Sequence, residues 1–402
     1  MRTQRARPMG ETEFIFLMAL LMSSVALSVD GSIPAMSVIG AELGAAHPNR
    51  AQHIVNCFFA GMAVGQLIAG AASDALGRRL VLFCGIGVYC CGAAMCYVAG
   101  DMPTMLAGRA LQGAGAAGPY IMVMSIVRDK YRGRAMARVM SYVAGVFIMT
   151  PAVAPALGQI VMQIGGWRDI FVAYIAYAAL CGLWAACRLR ESLPKEKRTQ
   201  SGSSPTLRAL RKAAKNPSLW IHTAALGCVF AALTGYINAA QQIYSEIYGV
   251  EEEFPLYFGA GSLATGLASL LNGRLVRRFG MRRISLTASA ATTMISVAVF
   301  LWVAQFSFPF AAFVAYGATL MFCFGFLYGN LNAMALESAD DAAGASAAIL
   351  GAFATLCGAG MGAAIGQLYD GTILPIVAGF VVTGCATLTL IYVGKKYRGK
   401  PL

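Results

Sequence analysis

One short polar segment separates two long apolar runs early in the chain and reads Gly70-Ala-Ala-Ser-Asp74-Ala-Leu-Gly77-Arg78-Arg79. A related segment follows another apolar run about half a chain length later, and it reads Gly273-Arg-Leu-Val-Arg277-Arg-Phe-Gly280-Met-Arg282. Both segments place arginines beside a glycine, which permits a tight turn between helix ends. The repeated segment predicts a chain built from two similar halves.

The composition excludes most soluble proteins. Of the 402 residues, 58% are hydrophobic and 12% are charged, and the mean hydropathy is +0.64. Soluble domains carry about 25% charged residues, and a single soluble core stops growing at roughly 250–300 residues. The chain is therefore neither disordered nor a soluble enzyme, and the solvent that it needs is the lipid bilayer.

Twelve apolar runs are long enough to cross a bilayer, which takes about 20 residues each. We place them at 14–41, 51–73, 80–99, 103–127, 136–163, 169–188, 218–244, 254–273, 284–304, 309–335, 343–367 and 372–394. The longest polar stretch contains Gln200-Ser-Gly-Ser-Ser-Pro205, a composition typical of a linker. We therefore predict an N-terminal six-helix bundle (1–188), a linker (189–217) and a C-terminal six-helix bundle (218–402).

Basic residues predict the orientation of the chain. All but three of the 31 Lys and Arg residues lie at the termini or in alternate loops, and the exceptions are Arg50, Arg109 and Arg168. Cytoplasmic loops carry this excess, so both termini are expected in the cytoplasm. Because the net charge of +13 sits in short clusters between spans, it does not indicate a nucleic-acid partner. A cleavable signal at 14–29, after Arg2, Arg5 and Arg7, is the alternative for the first run.

Cysteine and histidine give no sign of a metal site or a catalytic centre. The eleven Cys residues lie in or beside apolar runs without a C-x-x-C spacing, and the three His residues have no ligand spacing. Small core hydrophobes are the expected role of the cysteines. With no Ser/His/Asp set and no phosphate-binding loop, we expect no enzyme activity, no metal and no cofactor.

Two apolar runs carry polar residues that are costly in a membrane. One contains Leu106-x-x-Arg109-x-x-Gln112-Gly113-x-Gly115-Ala-Ala-Gly118, where the arginine needs a partner or a water-filled cavity. Snorkelling to the outer surface is the alternative for Arg109. The other is Asp30-Gly-Ser-Ile-Pro34, in which proline leaves the Asp30 carbonyl without its helical donor. Asp30 is the only acid deep in a predicted span, and proton coupling requires a carboxyl that gains and loses a proton.

A third run is rich in proline and glycine and reads Pro151-Ala-Val-Ala-Pro155-Ala-Leu-Gly158. Its two prolines remove two backbone donors and bend a helix. Its small residues leave room for close packing against a second helix. A bent packing helix with no further role is the alternative.

With these motifs the chain resembles the major facilitator superfamily over its full length, and within it the twelve-span drug/proton antiporters of the Bcr/CflA type. The resemblance implies an all-α membrane protein with twelve transmembrane helices in two pseudo-symmetric six-helix bundles. It implies a conformational latch at the first segment, with residues Gly70, Asp74, Gly77, Arg78 and Arg79. It also implies proton coupling through Asp30 and Arg109, and an antiporter helix marked by Pro151, Pro155 and Gly158.

The sequence departs from the family pattern at three places. Ala75 occupies a position where the family often has a basic residue, and Gln159 occupies one where a second glycine is common. Residues 31–33 occupy positions where the family commonly has aromatic residues and leucine. Two alternatives stay open for these motifs. The first segment can be a positive-inside turn without a gating role, and Asp30 can be a structural partner of Arg109 or another donor.

The expected function is that of a proton-coupled antiporter, which exports lipophilic or cationic small molecules by alternating access and uses the proton gradient as its energy source. Aromatic faces favour cations, and the 20 Met residues give pliable walls. Candidate substrate-binding residues are Asp30, Asn56, Phe59, Tyr120, Met149, Tyr236, Asn238, Phe324 and Tyr328, with ordinary helix packing as the alternative for each. We expect a monomer in the bacterial inner membrane whose partners are a small-molecule substrate, protons and lipid.

Two other functions fit the same pattern. A secondary transporter of a specific metabolite, such as a sugar, an amino acid or a siderophore, would share the fold and the loop segments, whether it exports or takes up its substrate. A receptor or membrane enzyme on this scaffold is the other alternative.

Overall fold

The computed structural model describes residues 9–194, 196, 198, 216–337 and 343–397. In these residues all regular structure is helical. The first half contains seven helices: α1 (Glu11–Asp30), α2 (Met36–Glu42), α3 (His53–Leu76), α4 (Arg78–Tyr97), α5 (Met102–Lys130), α6 (Gly133–Gly165) and α7 (Trp167–Arg188). The second half contains α8 (Pro217–Gln242), α9 (Phe254–Phe279), α10 (Met281–Val303), α11 (Phe310–Glu337), α12 (Ala343–Gln367) and α13 (Leu374–Gly394).

These helices form twelve segments long and apolar enough to cross a membrane, with α1 and α2 together forming the first. The twelve predicted spans are thus confirmed. The helices extend beyond several predicted ends, and α9 continues to Phe279 rather than stopping at 273. Arginine is a good helix former and its stem tolerates apolar surroundings, so the basic residues 274–278 prolong the helix instead of ending it.

The first span breaks where proline predicts it. Helix α1 ends at Asp30, a 3-10 turn runs over Ile33–Ala35, and α2 begins at Met36. Pro34 lies inside that turn, and it lacks the N–H that would donate to the Asp30 carbonyl in a continuous helix. The break puts Asp30 at a helix C-terminus in the interior of the span.

The repeated polar segments form equivalent turns. A single residue joins α3 to α4 and another joins α9 to α10: Gly77, with φ of 97°, and Gly280, with φ of 77°. Only glycine adopts these angles without strain. The two halves therefore share a local structure at the positions where the sequence shows its repeat.

Helix α6 carries the two prolines without interruption from Gly133 to Gly165. Its small residues bring it against α1, because a Cβ atom added to Gly158 would overlap the carbonyl oxygen of Gly31. The Ala154 carbonyl lies in the same contact. The proline-rich run is thus a close-packing surface for the broken first span.

The halves meet along two lines of helix contact. Helix α3 of the first half packs on α12, and α6 packs on α9. We call one end of the molecule the distal end. It carries α2, the start of α3 and the ends of α8 and α12, and it lies opposite the start of α1 and the end of α13. Residues 199–215 of the predicted linker lie outside the described residues, so the proposed domain limits stay a prediction.

Candidate functional site

The Arg109 side chain is fully buried in the middle of the first-half helices. Its guanidinium donates three hydrogen bonds: to the carbonyl oxygens of Ile54 (3.0 Å) and Ser28 (3.1 Å), and to Oε1 of Gln112 (2.7 Å). These acceptors belong to α1, α3 and α5. Arg109 therefore ties three helices together, and the alternative of a snorkelling arginine near the surface is wrong.

Aromatic rings complete the surroundings of this charge. The guanidinium carbon lies 4.8 Å from the ring centre of Phe58 and 6.0 Å from that of Phe171. The hydroxyls of Ser28 and Tyr89 share a short hydrogen bond beside it. Carbonyl dipoles and ring faces thus satisfy the arginine, and within the described ranges it forms no ion pair within 4 Å.

Asp30 lies in the same region without a basic partner. Its side chain is 4% exposed, and no salt bridge among the described residues includes it. The phenol of Tyr174 is within electrostatic range of both Asp30 and Arg109, and its hydroxyl is buried without a hydrogen-bond partner in the described structure. The site therefore holds a buried carboxyl, a separately satisfied arginine and an uncommitted phenol.

The predicted latch is built around the Arg78 guanidinium, which is almost fully buried. Its Nη1 donates to Ser73 Oγ (2.6 Å) and Asp74 Oδ1 (2.8 Å), and its Nε donates to Asp129 Oδ2 (3.2 Å). Gly70 takes part only through its carbonyl, which accepts from the Ser73 hydroxyl. The sequence motif included Asp74 and Arg78 but gave no sign of Asp129, which reaches Arg78 from the end of α5.

Glu191 holds the start of α4 from the chain segment that follows α7. Its carboxylate oxygens accept from the backbone nitrogens of Arg78 (3.0 Å) and Arg79 (3.1 Å). The first N–H groups of a helix have no internal partner, so Glu191 caps α4 from a distant part of the sequence. Ser192 adds a bond to Asp129 (2.9 Å), and the Arg79 side chain donates to the carbonyl of Ala186.

The pKa of the Glu191 carboxyl reflects two opposing effects. Partial burial acts to raise this pKa, and the backbone N–H groups of Leu193, Arg79 and Arg78 act to lower it. The donors prevail and the pKa lies below its ordinary value. The carboxylate form is therefore the one that fits this cap.

The candidate substrate residues separate into three groups. Asn238 of α8 donates to Asn56 of α3 (2.8 Å), and one turn along α3 the Phe59 ring meets Phe230 at 5.2 Å. Tyr120 of α5 and Tyr328 of α11 interact across the halves, and Phe324 stacks on Tyr328 at 5.5 Å. The structure thus joins six of these candidates in contacts between the halves or next to such contacts.

The remaining candidates lie elsewhere. Tyr236 stacks on Phe258 within the second half, and Met149 is 46% exposed beside Gly266 of α9. Phe324 also borders an apolar cavity of about 40 Å³ among α8, α10, α11 and α13. Asp30 lies inside the first half, and among the described residues no hydrogen bond or ion pair joins it to another candidate. The substrate role of all these residues stays a prediction.

A group of amide side chains at the distal end was not recognised in the sequence. We call it the distal amide cluster, and it consists of Asn49, Gln52, Gln242 and Gln367. Gln52 donates to Gln242 (2.7 Å), Gln242 donates to Asn49 (3.1 Å), and Gln367 donates to the Asn49 carbonyl (2.6 Å). Asn49 and Gln52 lie in the 3-10 turn Pro48–Gln52 before α3, and the other two residues end α8 and α12. Uncharged residues so far apart in the chain carry no sequence signal, because only folding brings them together.

The twelve membrane-spanning segments, the equivalent turns in the two halves and the buried polar residues are typical of a membrane transporter. A family model described as Major Facilitator Superfamily matches residues 17–367. The chain belongs to this superfamily, and it is a multi-pass transporter rather than an enzyme.

Several curated proteins are similar over most of their length. The "Uncharacterized MFS-type transporter YdgK" of Bacillus subtilis is 28% identical, with 92% of each chain covered. The "Bicyclomycin resistance protein homolog" of Haemophilus influenzae is 28% identical over 95% of this chain and 96% of its own. The "Multidrug resistance protein MdtL" of Salmonella heidelberg is 26% identical over 91% and 90%.

A solved structure has the same fold. The crystal structure of the human organic anion transporter MFSD10 (TETRAN) gives a TM-score of 0.72 and covers 96% of this chain and 99% of its own. At 17% identity, this likeness supports the fold alone.

Proposed function

We propose that the protein is a proton-coupled antiporter that exports lipophilic or cationic small molecules by alternating access. The observation that carries the proposal is Asp30, a buried carboxyl at the helix break, with no basic partner in the described structure and with Arg109 satisfied by other groups. Relatives named for multidrug and bicyclomycin resistance support the substrate class.

Asp30 is the proposed site of proton exchange. A buried carboxylate without a counterion is costly, so each conformer favours the protonation state that its surroundings stabilise. Movement of the arginine relative to Asp30 would change that preference, since a nearby cation favours the charged form. Binding of either a proton or a substrate cation at Asp30, but never both, would couple the two flows.

The contacts of Asp30 and Arg109 support this proposed role. Because the guanidinium bonds to backbone and amide oxygens, neutralising Asp30 breaks no ion pair within 4 Å. The 3-10 turn around Pro34 interrupts the α-helical hydrogen bonding of the first span shortly after Asp30. The excess of basic residues in alternate loops supports an orientation with both termini in the cytoplasm, and in that orientation the distal end faces the outside of a bacterial inner membrane.

The test is proton movement in proteoliposomes that hold the wild type or Asp30→Asn. Lipophilic cations and neutral drugs are added to each preparation while the internal pH is recorded. We expect substrate-triggered proton flux in the wild type and its loss in Asp30→Asn. Asp370→Asn, at an exposed distal turn, is the matched control and should retain the flux.

Two results would count against the proposal. Full proton-coupled transport by Asp30→Asn would remove Asp30 from the mechanism. An absence of flux with every compound would favour the second candidate, a carrier dedicated to one metabolite, whether it works by export or by uptake.

A further inference from the structure

The two amide side chains that join the halves below the distal amide cluster do not satisfy each other. Asn238 Nδ2 donates to Asn56 Oδ1 (2.8 Å) and to the Gly362 carbonyl (3.3 Å). If the Asn238 amide were turned over, its Oδ1 would face the Gly362 carbonyl oxygen, and two acceptors would meet. The hydrogen bond to Gly362 therefore fixes the orientation of this amide. The bond therefore leaves Asn56 Nδ2 and Asn238 Oδ1 uncommitted.

Both uncommitted atoms are buried. Asn56 is 7% exposed and Asn238 is 0% exposed, and within the described ranges neither atom has a hydrogen-bond partner. Leaving a buried polar group unpaired costs about 1–3 kcal/mol. A second amide pair in the chain avoids this cost, because Asn272 and Asn330 donate to each other at 3.0 and 2.9 Å.

The surroundings of the Asn56–Asn238 pair are uncharged. Helix α12 packs a glycine directly over it, since a Cβ on Gly366 would lie 2.8 Å from the Asn238 Cβ. The Phe59–Phe230 contact lies one turn away on the side opposite the distal amide cluster. The buried carboxylate and guanidinium groups of the described chain belong to Asp30, Arg78 and Arg109, and none of them bonds to the pair.

We propose that Asn56 and Asn238 form a subsite for a neutral group that carries both a hydrogen-bond acceptor and a donor, such as a secondary amide. Asn56 Nδ2 donates to the carbonyl oxygen of the ligand, and Asn238 Oδ1 accepts from its N–H. The neighbouring Phe59 and Phe230 rings hold an apolar substituent. The pair opens to solutes when α3 and α8 separate.

This subsite rests on the proposed function and narrows its substrate class. A quaternary ammonium group has no N–H donor and no acceptor, so it would gain nothing from the pair. Neutral amides are therefore the substrates that this part of the interface selects, whereas cations depend on Asp30.

The experiment measures equilibrium binding to detergent-purified full-length protein, without a proton gradient. Two fluorescent probes share one aromatic frame: N-(1-naphthylmethyl)acetamide and (1-naphthylmethyl)trimethylammonium. We expect Asn238→Leu and Asn56→Leu each to weaken binding of the amide roughly tenfold, the effect of one lost hydrogen bond. Binding of the ammonium probe should be unchanged. Asn272→Leu, in the self-satisfied pair, should change neither probe.

Asn238→Asp keeps the shape of the side chain and guards against a folding defect in the leucine variants. Asn238→Asp should bind the ammonium probe more tightly and the amide probe more weakly than the wild type does. The subsite is ruled out if the wild type does not bind the amide, if both probes lose affinity together, or if the asparagine variants bind the amide normally. Failure of the proposed function is a separate result, namely amide binding without any proton flux in proteoliposomes.

Discussion

At the scale of single residues, Arg109 shows how a charge can be held inside a membrane-spanning helix without a carboxylate. Its planar guanidinium group donates to three acceptors on three helices, and two aromatic rings lie beside it. A lysine keeps the positive charge, but its single ammonium nitrogen lacks the planar arrangement of donors on three nitrogens. The geometry of the acceptors therefore requires arginine.

We predict that Arg109→Lys lowers the free energy of unfolding by on the order of 3 kcal/mol, because hydrogen bonds to charged groups contribute about 1.5–3 kcal/mol each. Thermal unfolding of the detergent-purified protein measures this loss. Arg168→Lys is the control, since its partner Glu42 is partly exposed and such pairs contribute about 0–1 kcal/mol. Equal losses in the two variants would contradict the assigned role of Arg109.

Glu191 gives a prediction for acid stability. Its pKa is lower in the folded protein, so its stabilising effect is complete above its unfolded pKa and disappears as the pH falls through the folded pKa. Glu191→Gln should be less stable than the wild type at pH 7, and the difference should shrink below about pH 4.3, the ordinary glutamate pKa. Thermal midpoints recorded from pH 7 to pH 3 test this. A difference that stays constant or grows in acid would exclude the cap.

At the scale of helices, the contact between α1 and α6 depends on a missing side chain. The Gly31 carbonyl lies where the Cβ of any residue other than glycine at position 158 would have to be, and backbone cannot move aside as a side chain can. We predict that Gly158→Ala pushes α6 away from Asp30 and reduces both thermal stability and transport. Gly145→Ala on the same helix meets nothing within 4 Å, so it should behave as the wild type.

The sequence predicted those elements whose cause is local. Hydropathy predicted the twelve spans, and Pro34 indicated the break in the first span. The repeated segments indicated the turns at Gly77 and Gly280. Asp129, Glu191 and the distal amide cluster could not be predicted, because each acts through a partner far away in the chain. An amide or acid near a helix end has the same sequence context whether it faces water or another helix.

At the scale of the whole molecule, neutral hydrogen bonds join the halves at the distal end, and no salt bridge does so in the part of the chain that the structure describes. The distal amide cluster connects the 3-10 turn Pro48–Gln52, which directly precedes α3, with α8 and α12, and Gln241 adds a bond to Ser37 (3.1 Å). Each neutral hydrogen bond contributes only about 0.5–1.5 kcal/mol net, since water replaces it on opening. Such a closure is stable but can be reversed during a transport cycle.

Gln242 ties α8 to the first half through two hydrogen bonds, because it accepts from Gln52 and donates to Asn49. Gln242→Ala removes both bonds, so the population with a separated distal end should rise roughly tenfold. Hydrogen exchange measured by mass spectrometry should then accelerate by a similar factor in peptides that cover 48–56 and 362–369. Gln305→Ala, at an exposed distal turn, should leave these rates unchanged. Unaltered exchange in Gln242→Ala would mean that the helix packing of α3 on α12, and not the amides, keeps the distal end closed.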